Sequence, residues 1–193
     1  WGGNLVIREL RQFPDGRIGS TWMEELTPET EAPRMLAASV ADTMVCPADS
    51  ASFLLTFQVQ PGDARKGRLG LSFLPASGTQ DSCQLQVRLE DRRAQFGPGS
   101  LTGFAGPQRS LREGGSPNGG GNYAIENLLA LDRPFTVRVI VKGDDKLGGS
   151  LVDAEIAGQR TMLSYRPGLN VKQLLFRAEG VEVRNVRFAP LKN

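Results

Sequence analysis

In Phe135-Thr136-Val137-Arg138-Val139-Ile140-Val141, positions 135, 137, 139 and 141 are all apolar, with Thr136, Arg138 and Ile140 between them. A period of two sends successive side chains to opposite faces of an extended strand, so this segment presents one apolar face to a core. A helix would need apolar residues at a spacing near 3.6 instead. The same rhythm marks expected strands at 5–11, 34–40, 52–59, 68–74, 84–90, 92–96, 135–142, 151–156, 159–165, 171–178 and 181–189. Gly, Pro, Asn or Asp clusters separate them, with turns expected at Glu90-Asp91, Ala157-Gly158 and Glu179-Gly180.

Many short strands joined by Gly-rich turns specify an all-β architecture and not βαβ units. A two-sheet β-sandwich of jelly-roll type is expected. Its core would draw on Phe53, Leu55, Phe57, Leu69, Leu71 and Phe73. In Val181–Phe188 the apolar phase shifts near Asn185, which suits a β-bulge. Helix is expected only at 24–32, acidic and interrupted by Pro28, and as a turn or two at 125–131. The stretch from Gly97 to Gly121 holds nine Gly and three Pro in 25 residues, with Phe104, Arg109, Arg112 and Asn118 among them. It reads as a flexible insertion, with contact to sugar or to a neighbouring domain as the alternative.

Charge and histidine content narrow the chemistry. The 193 residues carry 23 basic and 21 acidic side chains, a net charge of +2, interspersed without a basic block. Nucleic-acid binding is therefore disfavoured. No apolar run is long enough to span a membrane as a helix. Histidine is absent, which removes the commonest general base, Ser-His and Cys-His nucleophile pairs and His metal sites. The two cysteines, Cys46 and Cys83, are candidates for a disulfide in an oxidising compartment; two separate buried thiols are the alternative. The chain opens on Trp1 without a Met, and is expected to be a piece of a longer protein.

That opening carries a resemblance. Trp1-Gly2-Gly3-Asn4-Leu5-Val6-Ile7-Arg8-Glu9-Leu10, followed by Asp15-Gly16 and Glu25-Leu26, resembles the crossing segment of invertase- and levanase-like glycoside hydrolases of family 32. There the chain passes from a catalytic propeller into a sandwich. The family pattern carries Pro before Arg-Glu-Leu, where this chain has Ile7, and another before the second Glu-Leu, where it has Trp22-Met23. In the C-terminal half, Val152-Asp153-Ala154-Glu155-Ile156, the Ala157-Gly158 hairpin and the Glu179-Gly180 turn between two strands follow the family's order.

The resemblance implies a concanavalin A-like sandwich, with residues 1–33 as the crossing segment and 34–193 as the sandwich domain. It implies a catalytic β-propeller of the same parent chain as partner, fructan or sucrose-type bonds as substrate, and an extracytoplasmic setting. Retaining hydrolysis needs two carboxylates about 5–5.5 Å apart. The family holds these in the propeller, within Trp-Met-Asn-Asp, Arg-Asp-Pro and Glu-Cys motifs that do not occur here. No catalytic residue, cofactor or metal ligand carries over. The expected role is a non-catalytic accessory domain; the alternative is a carbohydrate-binding, lectin-like module, whose partner would be a sugar.

Four residues are candidates for contact across the interdomain junction: Trp1 and Trp22 as apolar plugs, Arg8 and Glu9 as ion-pairing groups. The acidic pairs Glu24-Glu25, Glu90-Asp91 and Asp144-Asp145 are adjacent in sequence and so point to opposite faces of an extended chain. They are expected to be solvated. Asp144-Asp145 offers carboxylates to a hard cation but lacks calcium-loop spacing. Lys142, Lys146 and Tyr165 are the remaining plausible chemical groups, with surface solvation expected for the lysines, and Ser150 and Ser164 have no His or Gly-x-Ser-x-Gly context.

Overall fold

The computed structural model describes residues 7–62, 66–76, 82–109, 122–144 and 148–192. Among them run fourteen strands: β1 (Arg8–Gln12), β2 (Ile18–Trp22), β3 (Arg34–Val40), β4 (Thr43–Pro47), β5 (Ser52–Pro61), β6 (Arg68–Leu74), β7 (Cys83–Arg88), β8 (Arg93–Pro98), β9 (Tyr123–Ile125), β10 (Phe135–Asp144), β11 (Gly149–Ile156), β12 (Arg160–Pro167), β13 (Gln173–Glu179) and β14 (Val181–Pro190). Twelve of them build two six-stranded sheets, ordered β12-β11-β10-β5-β14-β3 and β4-β13-β6-β7-β8-β9. Every neighbouring pair is antiparallel. The expected all-β, two-sheet sandwich is what forms.

The period-two residues fill the space between the sheets. Phe53, Leu55 and Phe57 from the first sheet and Leu69, Leu71 and Phe73 from the second are fully buried, as are Val137, Val139 and Val141. Phe57 meets Phe176 edge-on across the two layers at 5.3 Å, and Phe53 stacks on Phe188 at 4.7 Å. Each such side chain contributes on the order of 1.5–3 kcal/mol by leaving water.

Asn185 sits at φ +54° where the ladder between β14 and β5 slips between Arg184 and Arg187, which is the expected bulge. Ala157 and Gly158 both take positive φ in the β11–β12 hairpin. Gly180 at φ +65° carries the chain from β13 in one sheet to β14 in the other; a Cβ there would lie 3.2 Å from the Gly67 backbone.

Three expectations need correction. The segment 24–32 forms only a 3₁₀ turn, Glu24–Leu26, because Pro28 cannot continue a helix. Residues after Ile125 are irregular, since Asn127 and Ala130 adopt left-handed backbone angles. Cys46 and Cys83 are free and buried. The ladder places Cys46 beside Leu174, Leu174 beside Phe73 and Phe73 beside Cys83. Three strand spacings put the two cysteines about 14 Å apart, where a disulfide needs about 7 Å or less between Cα atoms.

Candidate functional site

Strands β1 and β2 form a hairpin of their own, outside both large sheets. Its position is set by an acidic pair on β11. Val152, Ala154 and Ile156 face the core, so Asp153 and Glu155 project from the outer face of the first sheet. Arg138 stands opposite Glu155 on β10, and Ile140 opposite Asp153. The hairpin lies over this row. Nη2 of Arg8 donates to both carboxylate oxygens of Asp153, at 2.9 and 2.8 Å, and its Nε donates to Thr161 Oγ1 at 2.7 Å. The indole N–H of Trp22 donates to Asp153 at 3.2 Å, and its backbone N–H to Glu155 at 2.6 Å. Arg138 binds Glu155 at 2.7 Å and Glu24 at 2.6 Å, and lies 4.9 Å from the centre of the Trp22 ring.

Trp22 is 1% exposed and packs with Ile140, Leu191 and Leu54 as a second small core. Burial pushes the Asp153 carboxyl up to about 6, against the opposing pull of Arg8 and the Trp22 indole. Removing one member of so buried an ion pair typically costs about 3–5 kcal/mol. The network is a clamp: it fixes the hairpin to the sandwich, and both its buried carboxylates are ion-paired rather than available as acid or base. A cleft of about 600 Å³ opens beside it, lined by Glu24, Arg133, Arg138, Glu155 and Gln159 among others.

The four junction candidates separate. Trp22 is enclosed by its own chain, and Arg8 is spent on Asp153, so neither is presented outward; both expectations are corrected by the fold of the hairpin onto β11. Glu9 is exposed and paired with Arg11 at 2.9 Å. Trp1 lies outside the described residues, as do Asp145, Lys146, Arg112 and Asn118. Beside its exposed charged pairs, the hairpin and the turn that follows it expose apolar side chains: Ile7, Leu10, Ile18, Met23 and Leu26 are each between 36% and 75% exposed. Asp153 and Glu155 were the residues sequence reasoning passed over as site residues. Their signal is two carboxylates at alternate positions on one strand face, with Ile140 as the lone apolar member of the outward set on β10.

The second sheet has a polar outer face. Ser72, Gln84, Gln86 and Gln95 are buried there beneath residues 99–109. Gln84 donates to Gly103 O at 3.2 Å and accepts from Ala105 N–H at 2.7 Å; Gln95 donates to Gly106 O at 2.9 Å and accepts from Gln108 N–H at 3.2 Å. This part of the Gly-rich stretch is therefore a strap laid across the sheet and not a loose insertion. Phe104 packs over Gly70, where a Cβ would meet its ring at 3.1 Å. Ser150 and Ser164 are buried. Among the described residues no group of three His, Cys, Asp or Glu is placed to hold a metal ion. None of their helices is long and apolar enough to cross a membrane.

No family model and no curated protein matches the chain in sequence. Solved structures match it in fold. A β-fructofuranosidase from Schwanniomyces occidentalis, complexed with fructosyl-erythritol, superposes with a TM-score of 0.62 at 9% identity, over 97% of this chain and 40% of that one. A GH32 β-fructofuranosidase from Bombyx mori gives 0.58 at 10% identity, over 97% and 32%. Sheep galectin-11, complexed with glycerol, gives 0.50 at 11% identity, over 77% and 98%. The chain thus spans about a third to two fifths of the length of the fructofuranosidases, consistent with their C-terminal β-sandwich domain. The fold is the concanavalin A-like sandwich shared with galectins.

Proposed function

We propose that this chain is a non-catalytic accessory domain of a fructan- or sucrose-cleaving glycoside hydrolase, and that it borders and stabilises the enzyme's catalytic β-propeller. The observation that carries this reading is the clamped hairpin. Arg8, Asp153 and Trp22 hold it rigidly to the sandwich, while Ile7, Leu10, Ile18, Met23 and Leu26 remain turned to solvent. Apolar side chains left exposed on and around an anchored element suit cover by another domain. The fold likeness, spanning nearly all of this chain but a minor share of each fructofuranosidase, supports the same reading. So does the commitment of Asp153 and Glu155 to ion pairs, which leaves the carboxylate chemistry of glycoside cleavage to the propeller.

Two measurements test it. The coding sequence upstream of Trp1 is expected to specify a propeller. That propeller, produced separately and mixed with this chain, is expected to co-elute with it, and Leu10→Glu or Ile18→Glu is expected to weaken the complex about tenfold or more, since each places a charge in a buried apolar contact. An upstream frame encoding no propeller, or a complex indifferent to both substitutions, overturns the reading.

A further inference from the structure

The outer face of the second sheet carries a row of arginines that the fold does not require. Leu69, Val87 and Ala94 face the core, so their neighbours Arg68, Arg88 and Arg93 project outward. The registers set Glu179 opposite Arg68, Arg68 opposite Arg88, and Arg88 opposite Arg93. Three guanidinium groups thus stand directly opposite one another on adjacent strands, an arrangement that costs stability when nothing balances it. The balancing acids are peripheral: Glu179 holds Arg68 at 2.6 Å, Asp91 holds Arg88 at 2.7 Å, and Glu126 reaches Arg93 only at 3.5 Å. Glu179 and Asp91 are themselves 57% and 37% exposed and open to displacement.

Beside this row lies a cleft of about 470 Å³, between the sheet and the strap, lined by Arg68, Arg88, Arg177, Gln86, Phe104 and Glu179 among others. Three guanidinium groups line it against one carboxylate. Arg68 stacks on Phe104 at 4.1 Å, and Arg177 donates to Leu101 O at 3.1 Å, so two of the three are pre-positioned by the strap. Arg177 Nε is buried with no acceptor among the described residues. Guanidinium forks match carboxylates. The strap backbone from Thr102 to Gly106 supplies the mixed donors and acceptors that hydroxyls use. The strand spacing of about 4.8 Å is of the order of one pyranose ring, so successive arginines can meet successive sugars.

We propose that this row and cleft bind an acidic polysaccharide, a chain of carboxylate-bearing sugars laid across β6 and β7 with its carboxylates on Arg68 and Arg88 and its hydroxyls on the strap backbone. The ligand replaces Glu179 and Asp91 on their arginines. The site is on the sheet opposite to the hairpin and does not depend on the propeller reading.

The test is calorimetric titration of the whole chain with a galacturonic acid hexamer and with the same hexamer fully methyl-esterified. Saturable binding of the acid form is expected, with the ester at least about tenfold weaker. Arg68→Gln and Arg88→Gln should each weaken binding about tenfold or more, the worth of one charged hydrogen-bonding partner. Arg88→Lys, which keeps the charge and loses the fork, should weaken it as well. Arg34→Gln on the other sheet should not, and the melting temperature of every variant should report an intact fold. Equal binding of acid and ester, no binding of either, an equal loss in Arg34→Gln, or preference for a sulfated or nucleic-acid oligomer over the uronate overturns the proposal.

Discussion

Arg8 and Asp153 lie 145 residues apart in the chain, and one guanidinium nitrogen of the first touches both carboxylate oxygens of the second. Asp153 is fully buried while Arg8 keeps a small exposed fraction, so the pair joins the surface hairpin to the interior of the first sheet's outer face. Arg8→Gln is expected to cost about 3–5 kcal/mol at neutral pH, because it leaves a buried carboxylate without its cation. Asp153→Asn in the same chain should recover most of that loss. Urea denaturation of the two single variants and the double variant gives the coupling directly. Losses that add within about 0.5 kcal/mol would refute the clamp.

Acidity should stabilise the fold through Asp153 while weakening its ion pair with Arg8. Burial pushes Asp153 up to about 6 in the folded protein, above the roughly 3.9 of an unfolded aspartate. The folded state therefore holds the proton more tightly, and the stabilisation from this group is complete below about pH 4 and lost as pH rises through 6. Relative to Asp153→Asn, the wild-type chain should lose on the order of 2–3 kcal/mol between about pH 4 and pH 7. The Arg8→Gln penalty should shrink over the same interval on going to acid. A wild-type stability that rises relative to Asp153→Asn through this range would contradict the assignment.

Both thiols should be inert in the folded protein. Burial raises Cys46 and Cys83 to about 11, so neither supplies thiolate at neutral pH. A disulfide-exchange reagent such as DTNB should titrate no thiol before unfolding and two after it in urea. Adding reductant should leave the melting temperature unchanged. A mass two hydrogens short, or a melting point that falls with reductant, would show a bond that the ladder register forbids.

Gln95 should hold the strap. Its amide bonds Gly106 O, Gln108 N–H and Gln86 Oε1. Gln95→Ala strands those partners, and about 1–3 kcal/mol of stability should go with them. Arg109 sits at the end of the described strap and is exposed, so tryptic cleavage after it should accelerate in the variant. An unchanged cleavage rate would mean that the glutamines do not secure this segment.

The sandwich was legible because each of its long strands turns one face to the apolar core between the sheets. That condition writes the period-two pattern at Phe135–Val141 and breaks its phase where Asn185 bulges. Strands β2, β4 and β9 were not legible. Ile18-Gly19-Ser20-Thr21-Trp22 has no apolar alternation, and β4 and β9 are edge strands with a single partner each. The Arg8–Asp153 contact has no local signal at all, since it joins residues that only the completed fold brings together. Trp22 reads in sequence as a plug for another domain; what buries it in its own is Ile140 and Leu54 on outward faces, where a polar residue is the rule. The strap was misread for a related reason. Glycine and proline content speaks of what a segment can bury by itself, whereas residues 99–109 are ordered by glutamines that belong to β7 and β8.

Strand β14 lies between β5 and β3, and β13 between β6 and β4. The first two strands of the sandwich, β3 and β4, thus have no partner until the last two are made. Those early strands stay unpaired until β13 and β14 are in place, and neither sheet can close without residues 173–190. Folding of the sandwich therefore waits on its last two strands, and it is dominated by contacts of long sequence separation and slow for a domain of this size. Loss of residues 173–190 opens both sheets at interior seams instead of trimming an edge, and the exposed strands of β3, β4, β5 and β6 are then templates for pairing with other chains.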